Sequence, residues 1–404
     1  MAPVFIVVAI DSMGMGVVLP LLPFYSQHFG ASPLAIGVLI SVFSFCQFVG
    51  GPWLGRQSDR FGRKPILLLS QLGTCLSFVL LACANSLALV FLARICAGLT
   101  AGNMSVATAY AADRSNAANR NRAMGVVGAA VGIGIMAGPA LSGIVARTSI
   151  SAPIWVAAGL SFLSILATTF LLPREGKAAG AKAGRGQQRP APLKLTLGRP
   201  EVAGVLACMA LFYVAFGMWS SQLPLFLGAR FTWGSAPFGP QQVGWAYTAI
   251  GAVNVFTQLF ALKWVERILS EAQLTVVSLG LISTGYLLLG LAHGVPFMAL
   301  SLAVTMVGVS LARPILTATL THTALPGQQG ALMGANQSTM SICNIVAPLL
   351  AGLLIDRGWY LGWAFSVSAI AALALVLTLT LMANRRWPRP AHAEPPAQPA
   401  LGEA

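Results

Sequence analysis

The chain has 404 residues, 56% hydrophobic and 8% charged, with a mean hydropathy of +0.78. A soluble protein carries about 25% charged residues, so a soluble enzyme or a sizeable extramembrane domain is excluded and a polytopic protein of the lipid bilayer is implied. The net charge of +14 would point to nucleic acid if it formed one patch, but Lys and Arg are scattered through short connections and no nucleic-acid partner is expected.

Twelve apolar runs are each long enough to cross about 30 Å of hydrocarbon as a helix: 3–25, 34–54, 65–84, 87–110, 123–146, 152–172, 202–227, 242–262, 273–292, 295–320, 331–355 and 360–383. They give an all-α membrane protein with a six-span unit at 1–172 and a second at 201–383. Between them, 173–200 reads as a flexible basic linker, and 384–404 as a disordered Pro/Ala-rich tail. The start lacks a basic n-region and a small-residue cleavage site, so the first run is expected to remain as a span.

In the first span, Asp11 is the one acid well inside an apolar run. A carboxylate there needs pairing, water or a proton. It lies about eight residues, roughly 12 Å, from the start of the span. It is either a proton carrier or a group that reaches interfacial water. Between spans two and three, Gly55–Pro65 is a knot of four cations and one acid. Asp59 and Arg63 are one helical turn apart there. In span four, Arg94 needs an anion, carbonyls or a watery cavity, or it snorkels outward. It lies roughly 10 Å below the outer surface, a depth that does not bring it to Asp11.

Span five crowds Gly128, Gly132, Gly134, Gly138, Pro139, Ser142 and Gly143 onto one helix. Small residues four apart let helix backbones approach closely in lipid, and Pro139 removes one backbone donor. Three pairs share a single offset of 209 residues: Gly125 with Gly334, Pro139 with Pro348, and Gly143 with Gly352. This internal repeat suits a transporter whose site lies near the midplane, between two like halves. Candidate cavity residues are Gln47, Asn103, Tyr213, Trp219, Gln222, Asn254, Gln258, Asn336, Gln337 and Asn344, each equally readable as glue between helices. Arg313, just before Pro314, is either near Asp11 in depth or an interfacial anchor.

All six cysteines fall in apolar segments and read as reduced, buried thiols. The four histidines are scattered without metal spacing, and no Ser/His/Asp constellation appears. No metal, cofactor or enzymatic activity is expected.

Taken together, Gly55-x-x-x-Asp59-Arg60-x-Gly62-Arg63-Lys64 resembles the signature loop of the major facilitator superfamily, with a departure at Gln57. The resemblance implies twelve transmembrane helices in two pseudo-symmetric six-helix bundles. It also implies that Asp59, Arg63 and Asp113 form a latch on the cytoplasmic side, where solvated positive-inside anchoring is the plainer alternative. The second-half counterpart, Lys263–Gln273, is degenerate, so the latch should be asymmetric. Gly134-x-x-x-Gly138-Pro139-x-x-Ser142-Gly143 is similar to the antiporter pattern of the family's exporters. Ile10-Asp11-Ser12-Met13-Gly14 resembles the first helix of proton-driven drug exporters. Arg94-x-x-x-Gly98 resembles a fourth-helix pattern associated with proton transfer.

Gly98-Leu99-Thr100-Ala101-Gly102 and Ala109-Tyr110-Ala111-Ala112-Asp113 are similar to the tetracycline exporters and their drug:proton antiporter relatives. Ser77 stands where those exporters carry an acid, so their metal–drug chelate chemistry is not implied. The implied function is proton-coupled antiport that exports small amphipathic drugs. The alternative is a facilitator-type metabolite or sugar transporter. Nineteen of the Lys and Arg fall in the inner connections and ends if the N-terminus is inside, against three outside. Both termini are therefore expected in the cytoplasm of a bacterium, with the protein in the inner membrane as a monomer.

Overall fold

A computed structural model describes residues 2–115, 119–173, 199–234, 236–324, 328–384 and 386–388. Nearly every predicted run is a helix, but three spans are broken. The first span is α1 (Ala2–Val18) and α2 (Leu22–His28), bent by 44°. Pro20 and Pro23 lack the amide hydrogens that an unbroken helix would use at this point. The second span, α3 (Pro33–Phe61), starts at Ser32, whose hydroxyl accepts from the Ala35 amide at 3.2 Å. It runs on through the charged knot, so the expected loop shrinks to Gly62 alone. Gly62 has φ of +97°, a conformation that side chains with a Cβ rarely adopt.

The third span is α4 (Arg63–Ala82), and the fourth is α5 (Leu87–Leu99) followed by α6 (Asn103–Asp113). At the break between them the Gly102 amide donates to Ser70 Oγ at 3.0 Å. Spans five, six and seven are α7 (Arg120–Val145), α8 (Ala152–Leu171) and α9 (Pro200–Arg230). A hairpin of two-residue strands, β1 (Thr232–Trp233) and β2 (Ala236–Pro237), follows and is a small departure from an all-helical chain. Span eight is α10 (Pro240–Phe256), a π-helical turn (Thr257–Ala261) and α11 (Leu262–Val265). The last four spans are α12 (Glu271–Leu291), α13 (Val295–His322), α14 (Gln329–Asp356) and α15 (Tyr360–Ala383). Ten runs cross by length and composition, the bent α1–α2 pair is an eleventh, and the π-interrupted run is the twelfth.

The packing repeats with a period of six spans. Span one packs on five and six, and seven packs on eleven and twelve. Three packs on four and six, and nine on ten and twelve; two packs on four, and eight on ten. Across the halves, two packs on eleven and five on eight. These are the same contact in each direction of the pseudo-symmetry.

The cores differ between the halves. The second half is built on one large cluster that includes Phe212, Trp219, Leu279, Tyr286 and Trp363 and extends to Ala31 and Ile36 of the first half, with a small separate cluster of Leu274, Leu311 and Ile315. The first half has two, one around Val7, Leu67 and Ala111, the other around Val18, Phe78 and Val90. The layer between those two clusters carries the polar groups described below.

The expected linker lies outside the described residues from 174 to 198, as do the tail beyond 388 and Arg385. At the linker's end, Arg199 Nη1 donates to the Thr323 carbonyl at 2.8 Å. At the tail's start, Trp387 is buried and its amide donates to the Leu381 carbonyl at 3.1 Å. All six cysteines are free, but only Cys46, Cys208 and Cys343 are buried; Cys75 and Cys96 are half-buried, and Cys83 is exposed because α4 ends one residue before it.

Candidate substrate and proton site

A cavity of about 330 Å³ lies between the halves. Spans one to four contribute most of its wall, with Phe216, Gly217, Ser220 and Ser221 from span seven and Asn344 and Pro348 from span eleven. Span three takes part through Thr74 and Phe78, whereas the candidates Asn254 and Gln258 of span eight and Arg313 of span ten do not line it. Span ten instead turns Ser310 to Asn254, Oγ to Oδ1 at 2.7 Å. The wall is mostly apolar, with Met15, Leu19, Ile40 and Phe43 among its residues, and a few polar groups stand at fixed points. That composition suits amphipathic small molecules.

Asp11 lines this cavity from α1. Gln71 Nε2 donates to Asp11 Oδ2 at 3.2 Å and to Ser164 Oγ at 2.8 Å, so one fully buried amide ties spans one, three and six. No cation lies within ion-pair distance of Asp11 among the described residues. Gln71 was not singled out in the sequence, although it is an amide inside an apolar run, the same signal that marks Gln47. Ser77 does not line the cavity, and its hydroxyl donates to the Thr74 carbonyl at 2.8 Å.

Arg94 lines the same cavity and does not snorkel, being 7% exposed. Its guanidinium lies over the Phe43 ring, 5.7 Å from the centroid. It forms no ion pair with Asp11 in this conformer, in line with the depth estimate. Gln47, Asn103 and Asn344 also face the cavity.

The other candidates are elsewhere. Tyr213 donates to Asn336 Oδ1 at 3.0 Å, and Arg313 is exposed with Nη2 3.9 Å from Met340 Sδ. Gln258 Nε2 donates to Asn254 Oδ1 at 3.1 Å on the π turn. Gln222 is buried and donates to the Pro33 carbonyl at 3.2 Å; Trp219 is buried against Tyr286, and Gln337 is exposed.

In span five, Gly134 and Gly138 press on span one beside Asp11. A Cβ on Gly138 would stand 2.7 Å from Gly16 Cα, and one on Gly134 would stand 2.7 Å from the Met13 amide nitrogen. Gly143 abuts Gly244 of span eight, and Pro139 lies beside Gly16. Gly128 meets no neighbour, and Gly132 meets only the Val255 side chain, so that pair brings no backbones together.

Among the described residues, three hydrogen bonds join the halves: Leu34 amide to Asp356 at 3.4 Å, Ser41 to the Ile345 carbonyl at 2.6 Å, and Gln222 to Pro33. Each lies toward the end of the bundle remote from the N-terminus. At the near end, the side-chain contacts of the charged knot seen among the described residues lie within the first half, and Gln57 Oε1 is buried without a partner among them. Arg63 pairs with Asp59 at 2.5 Å and Asp113 at 2.8 Å, and donates to Ser58 Oγ at 2.7 Å. Ser58 Oγ donates to the Gly55 carbonyl at 2.7 Å, and Arg60 lies over Phe61. Lys64 caps the end of α8 through the Thr169 carbonyl at 2.8 Å.

The second half has a counterpart that the sequence reading placed only in part. His322 Nδ1 is 3.2 Å from Glu271 Oε2. His322 is Asp113 carried forward by the repeat offset of 209, with an imidazole in place of the carboxylate. Lys263–Gln273 supplies one partner, Glu271, and the other comes from the end of span ten.

The family model of the Major Facilitator Superfamily matches residues 4–240 and again 235–402. The chain belongs to the Major Facilitator Superfamily. It is similar to the tetracycline resistance protein, class B, of Escherichia coli, 29% identical over 398 residues that cover 93% of this chain and 94% of that protein. It is also similar to multidrug resistance protein 2 of Bacillus subtilis, 27% identical, with 88% of each chain covered. Among solved structures, the nucleoside transporter NupG shares the fold with a TM-score of 0.76 at 14% identity, covering 95% of this chain and 98% of that one. As a superfamily member the chain is a multi-pass membrane transporter, and two like six-span halves around a central cavity are the fold described above.

Proposed function

We propose that this transporter is a proton-coupled antiporter that exports small amphipathic drugs or toxic compounds by alternating access. One observation carries the reading. Asp11, without a countercation among the described residues, lines an apolar cavity between the two halves and is held by Gln71. A carboxylate so placed can take a proton from one side and return it to the other as substrate moves the opposite way. The relatives named for tetracycline and multidrug resistance support drug export, and the departure at Ser77 leaves tetracycline itself unassigned.

In this reading Arg94 supplies the fixed charge against which proton and substrate exchange, and Gly134, Gly138, Pro139 and Gly143 form the helix on which span one moves. Asp59, Arg63 and Asp113, paired within the first half in this conformer, latch the cytoplasmic end in the opposite one. Both termini are cytoplasmic, the protein works as a monomer in a bacterial inner membrane, and the conformer described is closed at its outer end. Transport in everted vesicles tests the function. A drug panel should dissipate the proton gradient in vesicles of the parent, and Asp11→Asn should abolish uphill drug accumulation while leaving downhill drug exchange. Uphill transport by Asp11→Asn equal to the parent's removes Asp11 from coupling.

A further inference from the structure

Arg94 is buried, yet its Nε and Nη2 have no hydrogen-bond partner among the described residues. No carboxylate there lies within ion-pair distance of it. Phe43 covers the guanidinium without satisfying its donors. A guanidinium cannot shed its charge in a protein, and a buried cation without an anion is costly. Asp11, across the same cavity, differs in both respects: it accepts from Gln71, and it can be neutralised by a proton. Of the two charged groups on this wall, Arg94 is therefore the one that still lacks a partner.

The surroundings narrow the chemistry. A second unsatisfied group, Asn103 Oδ1, lines the cavity and can accept a hydrogen bond. Apolar and aromatic side chains, Phe43, Phe78 and Phe216 among them, supply the rest of the wall. The volume of about 330 Å³ is at the small end of ligand pockets, which span about 300–1,000 Å³. One cation lines it, and Asp11 would repel a second negative group.

We propose that Arg94 is the substrate's anion receptor, and that the cavity takes compact ring-bearing molecules with one carboxylate, phenolate or enolate. A planar oxyanion matches the two free donors of the guanidinium, while the rings pack on the phenylalanines. This rests on the transport reading above and adds the charge type of the cargo.

Full-length protein in phosphatidylcholine nanodiscs is titrated calorimetrically with 2-naphthoate and 2-naphthamide, and with the matching acid–amide pairs of anthracene and quinoline. The parent should bind at least one acid about tenfold or more tighter than its amide. Arg94→Gln should bring that ratio below about twofold. If Arg94→Gln does not elute as folded protein, Arg94→Lys decides, because a point charge cannot form the paired contact; its ratio should fall at least about threefold. No acid preference in any pair, or a preference that survives substitution, overturns the inference. Everted-vesicle transport separates this from the exporter reading. Proton-linked transport without acid preference removes only the anion site, whereas acid preference without transport of any compound removes the exporter reading and leaves the site.

Discussion

Gly37 of span two lies directly against the backbone carbonyl of Pro348 in span eleven. Its pseudo-symmetric counterpart, Gly244 of span eight, stands against Pro139 in span five, where a Cβ would come 3.0 Å from the carbonyl oxygen and 2.6 Å from Gly143 Cα. Both contacts cross between the halves, and on the alternating-access reading they would part when the end remote from the N-terminus opens. Gly37→Ala and Gly244→Ala should each penalise this conformer by about 1–3 kcal/mol of overpacking, which is roughly a 5- to 150-fold shift in population. Spin labels at Phe61 and Gln329, on the ends of spans two and eleven nearer the N-terminus, should then report a shorter distance than in the parent. An unchanged distance distribution would mean that the helices slide apart without cost.

The same glycines show what the sequence makes legible. The repeat of Pro139 and Pro348, and the placement of Asp11 and Arg94 inside apolar runs, follow from spacing alone, because a bilayer forces spans of fixed length and makes an intramembrane charge conspicuous. The partners of those residues do not follow. Gln71 meets Asp11 across 60 positions of chain, and nothing local separates it from Gln222 or Gln258, which turn elsewhere. Which amide faces the cavity depends on how each helix is rotated against its neighbours. The π turn at Thr257–Ala261 is equally silent, since one extra residue in a helical turn leaves the apolar composition unchanged.

The Asp11–Gln71 contact should be measurable as a coupling. Asp11→Ala and Gln71→Leu each break it, and Gln71→Leu also strips the donor from Ser164. A double-mutant cycle on unfolding in mixed micelles should give an interaction of about 1 kcal/mol, in the upper range for bonds between membrane helices. Strict additivity of the two substitutions would mean that the amide merely neighbours the carboxylate.

The two end-of-span polar contacts should differ in weight. Arg63 is 15% exposed and touches both Asp59 and Asp113, whereas His322 and Glu271 are 39% and 36% exposed. Removing Asp113 leaves a mostly covered guanidinium short of one partner, so Asp113→Asn should cost about 1 kcal/mol after allowance for solvent screening. His322→Ala should cost a few tenths, about the worth of an exposed pair. Asp59→Asn should resemble His322→Ala, because Asp59 is 64% exposed. Comparable losses for all three in thermal unfolding of the purified protein would show that exposure does not rank these contacts.

Cys83 offers a direct reading of orientation. It follows the last residue of α4 and is exposed, at the opposite end of span three from the Asp59–Arg63–Asp113 cluster. With the termini cytoplasmic, span three runs outward and its end faces the periplasm. A variant that keeps Cys83 as its single cysteine should react with a membrane-impermeant maleimide in cells whose outer membrane has been permeabilised, and should be protected in sealed everted vesicles. The opposite pattern would invert the topology. It would also turn the Asp59–Arg63–Asp113 cluster to the outer face, where a positive cluster runs against the loop bias that sets orientation.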